Sequence, residues 1–252
     1  HKVRVKSDTV SPQRTVEAVS DLTGIAIPSY LMHLYGLKSE IHELIRSPPG
    51  DLIVRRVAMK ISDPPDTIRD HLIFANVSQA LHKQIHSPLR QIVKYDWVED
   101  EDLECCVKNA ERICLDESTC LEKSVTISHI HQEFGLIELN GRLDAETSET
   151  VYEFKCTGTL DFSHKLQLMV YAWMLKQIQP AYNRKFCLFN FFTGELLQMV
   201  YNEPVVNEIM DHLFHEKFTQ KILLNDSEFI DNALNGPLVI TRADERSDDS
   251  SD

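Results

Sequence analysis

Apolar residues recur every three to four positions through much of the chain, which predicts a series of amphipathic helices. The clearest is a long helix from about 66 to 86, whose apolar face carries Ile73, Val77, Leu81 and Ile85. Similar spacing predicts helices over 14–46, about 100–115, 162–177 and 204–224. A proline at position 28 predicts a break in the first of these ranges, after which Ser29 caps a short helix that ends at Gly36.

The spacing changes toward alternation between about 124 and 156, where β-rich segments are separated by short turn-like stretches. We expect three antiparallel strands there, over 124–133, 136–145 and 150–156. Two further strands are expected over 185–192 and 196–201, and the first of these is continuously apolar, as in a buried strand. This order of elements predicts an α/β domain with a central mixed β-sheet flanked by helices.

The chain is expected to divide into three parts. We interpret 1–62 as a helical N-terminal extension, or as the remnant of a preceding module, and 63–240 as the main domain. The segment 241–252 is acidic and rich in serine, so we expect a disordered tail. Because the sequence lacks an initiator methionine, we expect a processed chain or a piece of a longer protein.

Composition narrows the class of protein. We expect no membrane span and no signal peptide, since no apolar run approaches ~20 residues and the first residues are polar. The six cysteines form no Cys-x-x-Cys pair, which favours reduced thiols and an intracellular location, in the cytoplasm or the nucleus. The net charge of −13 argues against a protein that holds nucleic acid mainly by bulk charge. It does not argue against an enzyme whose basic residues or metal ions act locally.

Two carboxylates and a lysine predict a catalytic site for phosphodiester hydrolysis: Asp144, Glu153 and Lys155. Glu153 and Lys155 lie two residues apart on an expected strand, and therefore on one face of it. Hard divalent ions prefer carboxylate oxygens, so we expect Asp144 and Glu153 to bind one or two Mg²⁺ or Mn²⁺ ions, joined by the Phe154 carbonyl. Lys155 would orient or deprotonate the attacking water, or offset charge on the phosphorus.

Three residues on neighbouring helices extend this site. Gln167 and Tyr171 are four residues apart on the helix that follows, so they share one face and are the predicted nucleic-acid-binding residues. His82 lies on the long upstream helix and is a predicted further metal ligand, for which His86 is a rival.

These motifs together resemble those of the PD-(D/E)xK nuclease superfamily, specifically its RecB-like branch with a Gln-x-x-x-Tyr motif. The resemblance covers residues 78–85, 141–158 and 164–175, about the middle half of the chain. Two positions depart from the family pattern: Leu143 replaces the proline of the name, and Ser78 stands where a glycine often precedes the histidine.

The resemblance implies a restriction-endonuclease-like core and a metal-dependent DNase, often exonucleolytic, that acts on single-stranded DNA or duplex ends. It also implies a link to a helicase, in cis or in trans, and to DNA repair, recombination or replication. Some nucleases of this kind hold an iron–sulfur cluster with a cysteine trio near the C-terminus. No cysteine follows Cys187, so we expect no cluster here.

Other interpretations stay open at this point. Viral cap-snatching RNA endonucleases share a similar histidine, aspartate and Glu-x-Lys set. A nonenzymatic nucleic-acid-binding module that retains the nuclease fold is a third possibility, although this chain has lost neither carboxylate nor the lysine. Taken alone, the Glu-x-Lys pair is a common solvated charge pair, and Gln167 and Tyr171 could be the polar edge of an amphipathic helix.

Overall fold

The structure is a computed structural model that describes residues 16–83 and 86–219. Eight helices lie in these ranges: α1 (Val16–Leu34), α2 (Glu40–Arg46), α3 (Leu52–Ala58), α4 (Ile68–Lys83), α5 (Ser87–Gln91), α6 (Asp100–Ala110), α7 (Phe162–Ile178) and α8 (Glu203–Thr219). The strands are β1 (Cys120–His131), β2 (Gly135–Glu146), β3 (Thr150–Lys155), β4 (Lys185–Asn190) and β5 (Leu196–Gln198). The described residues divide into two compact units between Asn207 and Glu208, within α8.

The five strands form one mixed sheet in the order β1-β2-β3-β4-β5. All neighbouring pairs are antiparallel except β3 and β4, which are parallel and are joined by α7. A parallel pair needs such a long crossover, whereas the antiparallel pairs follow from short connections. The predicted mixed sheet flanked by helices and its three antiparallel strands are confirmed.

Helix α1 does not break at Pro28, so the prediction of an interruption at Ile27-Pro28 is wrong. A proline inside a helix removes one hydrogen bond and crowds the carbonyl four residues earlier, which here belongs to Gly24. The helix continues because tertiary packing favours it: Ile27 and Leu31 are fully buried, and α1 packs against α4. Ser29 is therefore not a cap; its hydroxyl lies 2.8 Å from Nδ1 of His71 inside the fold.

The prediction that this helical region ends at Gly36 is confirmed, and a specific C-terminal motif stops α1. The amide of Leu37 donates to the Met32 carbonyl at 2.9 Å, and the amide of Gly36 donates to the His33 carbonyl at 2.9 Å. This pair of bonds needs a left-handed residue at its centre, and Gly36 has a φ of +71°.

The other elements agree with expectation except at their ends. The long central helix begins at Ile68, and residues 84–85 lie outside the described part of the chain. The helix expected to reach 115 ends at Ala110, and β5 is shorter than expected. Helices α3 and α5 were not predicted. Expectations for 1–13, for the tail and for the end of the last helix fall outside the described residues.

The core lies between the sheet and the N-terminal helices. Trp97 is fully buried there and donates its indole N–H to Thr23 of α1 at 3.0 Å. Phe189 and Phe191 meet edge to face within the same core, at a centroid distance of 5.1 Å. None of the described helices combines the length and apolar character that crossing a bilayer requires.

Neighbouring residues of β2 provide a test of the fold. Ile137 is 5% exposed and Leu136 is 65% exposed. We expect Ile137→Ala to lower the free energy of unfolding by about 2–5 kcal/mol, since it empties a packed site. Leu136→Ala should change it by less than about 0.5 kcal/mol. Urea unfolding measures both, and equal effects of the two substitutions would contradict the pleat and register of this strand.

Candidate active site

The pairing of β2 with β3 brings Asp144 and Glu153 together. The register joins Ala145 to Tyr152, and one further step along it sets Asp144 opposite Glu153. The amide of Phe154 donates to Oδ2 of Asp144 at 2.6 Å, which fixes this carboxylate against the neighbouring strand. The expected convergence of two carboxylates across a strand pair is therefore present.

Glu153 and Lys155 lie on the same side of β3, as their spacing predicted. Nζ of Lys155 is 2.6 Å from Oε1 of Glu153, and the two side chains are only 17% and 3% exposed. Phe154 points to the opposite side and packs with Tyr152 and Phe191, at centroid distances of 5.9 and 5.0 Å. Buried aromatic contacts on one face thus hold the charged pair on the other.

Helix α7 adds the amide and the phenol. Asp161 caps the helix by accepting a hydrogen bond from the His164 amide at 3.1 Å. One and two turns later, Gln167 Oε1 accepts from Nζ of Lys155 at 3.0 Å, and Gln167 Nε2 donates to the Tyr171 hydroxyl at 3.2 Å. Glu153, Lys155, Gln167 and Tyr171 therefore form one continuous chain of polar contacts.

The glycine of the Gly-Arg-Leu-Asp segment has a steric role at this site. The ring of Tyr171 lies directly over Gly141, where an added Cβ would be 2.5 Å from Cε1 of that ring. A side chain at 141 would displace the tyrosine, so only glycine allows the helix side chain to approach β2 this closely.

A cavity of about 400 Å³ is bordered by the predicted site residues Asp144, Glu153, Lys155, Gln167 and Tyr171. Apolar side chains form part of its wall, among them Pro28, Met32 and Phe74. The cavity also contains charged residues to which sequence reasoning gave no role: Glu40, Glu122 and Arg142. The sequence pattern did not indicate a role for two of them. Glu40 is distant in sequence from the other site residues, and Glu122 lies before the point where β1 was expected to begin.

Arg142 is held between two carboxylates. Its Nε is 2.7 Å from Oε2 of Glu122, and its Nη1 is 3.1 Å from Oε1 of Glu40. Glu40 also lies 3.6 Å from Nε2 of His82. Acidic groups thus outnumber basic ones around the cavity.

Burial and mutual repulsion raise the pKa values of the clustered carboxyls. Burial and the adjacent Asp144 raise the pKa of Glu153 to about 8, although Lys155 acts in the opposite direction. Burial and Asp144 raise the pKa of Glu122 to about 7. Burial also raises the pKa of Asp144, whose carboxylate borders the cavity and keeps some exposed surface. The cluster therefore lacks enough positive charge to ionise readily.

One oxygen of this cluster receives neither a hydrogen bond nor an ion pair from the described residues. Oε2 of Glu153 is buried and accepts no hydrogen bond from the described residues. A buried carboxylate oxygen normally receives a donor or a cation, because leaving it without one is costly. Together with Asp144, it is the type of donor set that suits a hard divalent ion.

The described side chains do not already converge as a metal cage. No group of three His, Cys, Asp or Glu side chains within 16–83 and 86–219 is arranged to hold a metal ion. Glu153 is turned toward Lys155 and Glu122 toward Arg142. Basic side chains of the protein thus contact the carboxylates that a cation would use.

His82 does not border the cavity that contains Asp144 and Glu153. Its side chain is 54% exposed and borders a neighbouring cavity of about 330 Å³. The residues of α4 that border the cavity with Asp144 and Glu153 are Phe74 and Ser78. His86, the rival ligand, is exposed next to the start of α5. The metal-binding role of either histidine stays a prediction, and we leave both out of the proposed ligand set.

Comparison with known proteins does not identify the chain. Its sequence matches no family model, and no curated protein gives a significant match. The resemblance to PD-(D/E)xK nucleases therefore rests on the sequence motifs alone. The geometry of the cavity is a separate observation.

The raised pKa values predict how stability depends on pH when metal is absent. Between about pH 4.5 and 8 the folded protein binds more protons at Glu153 than the unfolded chain, so stability falls as pH rises. His71 acts in the opposite direction, because burial lowers its pKa to about 4, but its effect ends near pH 6.5. We expect the free energy of unfolding to decrease from pH 6.5 to 8 in EDTA.

Urea unfolding of the wild-type protein and of Glu153→Gln checks this. The variant cannot titrate at 153, and its glutamine also repels Asp144 less, so its stability should vary less over the same range. Stability that rises with pH in the wild-type protein, or identical slopes for the two proteins, would contradict the assignment of the strained carboxyl to Glu153.

Proposed function

We propose that this protein is a Mg²⁺- or Mn²⁺-dependent nuclease that hydrolyses DNA phosphodiester bonds, with a restriction-endonuclease-like core of the RecB-like type. One observation carries the proposal: Oε2 of Glu153 is buried beside Asp144 and receives no donor from the described residues, in a cavity that also holds Lys155. Buried acids with raised pKa values and a lysine at hydrogen-bond distance are typical of catalytic sites.

Asp144 and Glu153 would hold the metal, with the Phe154 carbonyl as the further ligand expected from the sequence. When bound, a divalent ion would polarise a phosphoryl oxygen and lower the pKa of water. Asp144 is already fixed by the Phe154 amide, and the packing of Phe154 holds β3 in place. The protein therefore contributes one carboxylate, that of Asp144, whose orientation requires little reorganisation.

Lys155 is the proposed group that positions water and offsets charge developing on the phosphorus. Its ammonium is mostly buried and contacts both Glu153 and Gln167, so two acceptors fix its direction. A buried, oriented ammonium stabilises a developing negative charge more strongly than a solvated one. Gln167 is thus a positioning residue for Lys155 as well as a candidate substrate contact.

Gln167, Tyr171 and the apolar wall are proposed to hold the end of a DNA strand. Burial raises the pKa of Tyr171, so its hydroxyl stays protonated and able to donate to a phosphate oxygen. Met32 and Phe74 offer an apolar surface for a base. The cavity volume of about 400 Å³ is at the lower end of the range for small-ligand pockets. The proposed exonuclease-like action follows from the motif resemblance.

The negative net charge bears on the partners of such an enzyme. At −13 the chain gains no general attraction to DNA, so affinity would depend on local groups at the cavity and on metal ions. Delivery of strand ends by a helicase, in cis or in trans, would compensate for weak general binding. The proposed link to DNA repair, recombination or replication follows from the motif resemblance.

A cleavage assay tests the proposal. Single- and double-stranded DNA labelled at the 5′ or the 3′ end, and RNA of the same sequence, would be incubated with Mg²⁺, Mn²⁺ or EDTA. We expect metal-dependent release of short products from DNA and none in EDTA. Cleavage of RNA alone would favour the endonuclease alternative. Binding without cleavage in any metal would favour the nonenzymatic module.

Lys155→Ala separates catalysis from folding. We expect it to lower kcat for DNA cleavage by about 10²–10⁴-fold, because it removes the oriented ammonium. The fold should persist, since Glu153 can remain protonated when its partner is lost. The matched control is Lys108→Ala, which removes an exposed lysine from α6. Wild-type cleavage by Lys155→Ala would refute the assigned role.

A further inference from the structure

Glu122 occupies an unusual position in β1. It lies between two residues paired with β2, since Leu121 pairs with Ala145 and Lys123 pairs with Leu143. The same register sets Glu122 opposite Asp144. Its φ is +51°, in the left-handed region, although it is not a glycine.

Glu122, Asp144 and Glu153 therefore stand side by side on three adjacent strands. Extending the neighbouring pairs by one position puts Asp144 opposite Glu122 on β1 and opposite Glu153 on β3. All three border the same cavity. Like charges at directly opposed positions destabilise a sheet, so a row of three ionised acids needs nearby positive charge.

The charge around the cavity, once its carboxyls ionise, could be balanced by one divalent cation. Four carboxylates and two cationic side chains border it: Glu40, Glu122, Asp144, Glu153, Arg142 and Lys155. With all six ionised, four negative charges stand against two positive ones, and the remaining −2 is what a single divalent ion neutralises.

A separate observation points to the same ligand. The Glu153 side chain is 3% exposed and borders the cavity, and its Oε2 has no hydrogen-bond partner among the described residues. An oxygen in this position is available to a metal ion once Glu153 is ionised. Neither Lys155 nor Arg142 fills it, because Lys155 contacts Oε1 and Arg142 contacts Glu122 and Glu40.

We propose that Glu122 is the third carboxylate of the divalent-cation site, which it enters by exchanging Arg142 for the metal ion. This inference rests on the proposed function, because it concerns the metal ion of that same site. Arg142 would then keep Glu40 as its single carboxylate partner and would face the substrate phosphate, for which a guanidinium is suited. Glu122 would take the place that the sequence assigned to His82.

The rival explanation is that Glu122 serves only as a counter-ion for Arg142. The variant Glu122→Gln alone does not separate the two roles, because it leaves the arginine charge unpaired beside the site. The double variant Glu122→Gln/Arg142→Gln does, since it removes the pair and leaves the net charge of the cavity unchanged. Glutamine also retains the size of the side chain at 122.

Isothermal titration calorimetry with Mn²⁺ would measure metal binding, and electron paramagnetic resonance would count the free Mn²⁺ ions. The proteins are wild type, the double variant, Asp144→Asn and the control Glu138→Gln, an exposed position on β2. We expect the double variant to bind Mn²⁺ at least about tenfold more weakly than wild type. The control should bind like wild type, and thermal unfolding would establish that each variant folds.

Two other outcomes would count against the inference in different ways. If the folded double variant binds Mn²⁺ as tightly as wild type while Asp144→Asn does not, Glu122 is only a counter-ion and the proposed nuclease function stands. If wild type itself binds no Mn²⁺, both the third-ligand assignment and the proposed function are wrong.

Discussion

The hydrogen bond from the Phe154 amide to Asp144 Oδ2, with the strand register that produces it, sets the geometry on which the other site contacts depend. It holds one carboxylate beside a second, Glu153, on the neighbouring strand. The strand that carries Glu153 also carries Lys155, and the helix that follows returns Gln167 and Tyr171 to the same cavity. A shift of one residue in this register would put Asp144 and Glu153 on opposite faces of the sheet.

The cluster of buried carboxyls lowers the stability of the fold, which is evidence that it serves another purpose. Burial and repulsion raise the pKa values of Glu122, Asp144 and Glu153, although isosteric amides would avoid the repulsion. Residues that lower the stability of a fold are concentrated at functional sites, because binding or catalysis requires those side chains. By contrast, the buried Glu146 receives the Tyr182 hydroxyl and lies beside Lys123 and Arg184. Its charge is satisfied, so it needs no ligand.

Local periodicity explains which parts could be predicted from the sequence. The period of two along β3 sets Glu153 and Lys155 on one face, and the spacing of four along α7 does the same for Gln167 and Tyr171. Contacts between distant segments could not be read in this way. The continuity of α1 through Pro28 depends on packing against α4, and the pairing of Arg142 with Glu40 joins residues a hundred positions apart. The face of α4 that borders the cavity, which excludes His82, is also determined by tertiary packing.

The most direct test of a cation site at Asp144 and Glu153 is X-ray diffraction from crystals soaked in Mn²⁺, with data collected for anomalous scattering. The account predicts a manganese peak in the cavity, bound by Asp144 and by Oε2 of Glu153. A cavity without a manganese peak, in which a protein group already bonds to Oε2 of Glu153, would contradict it.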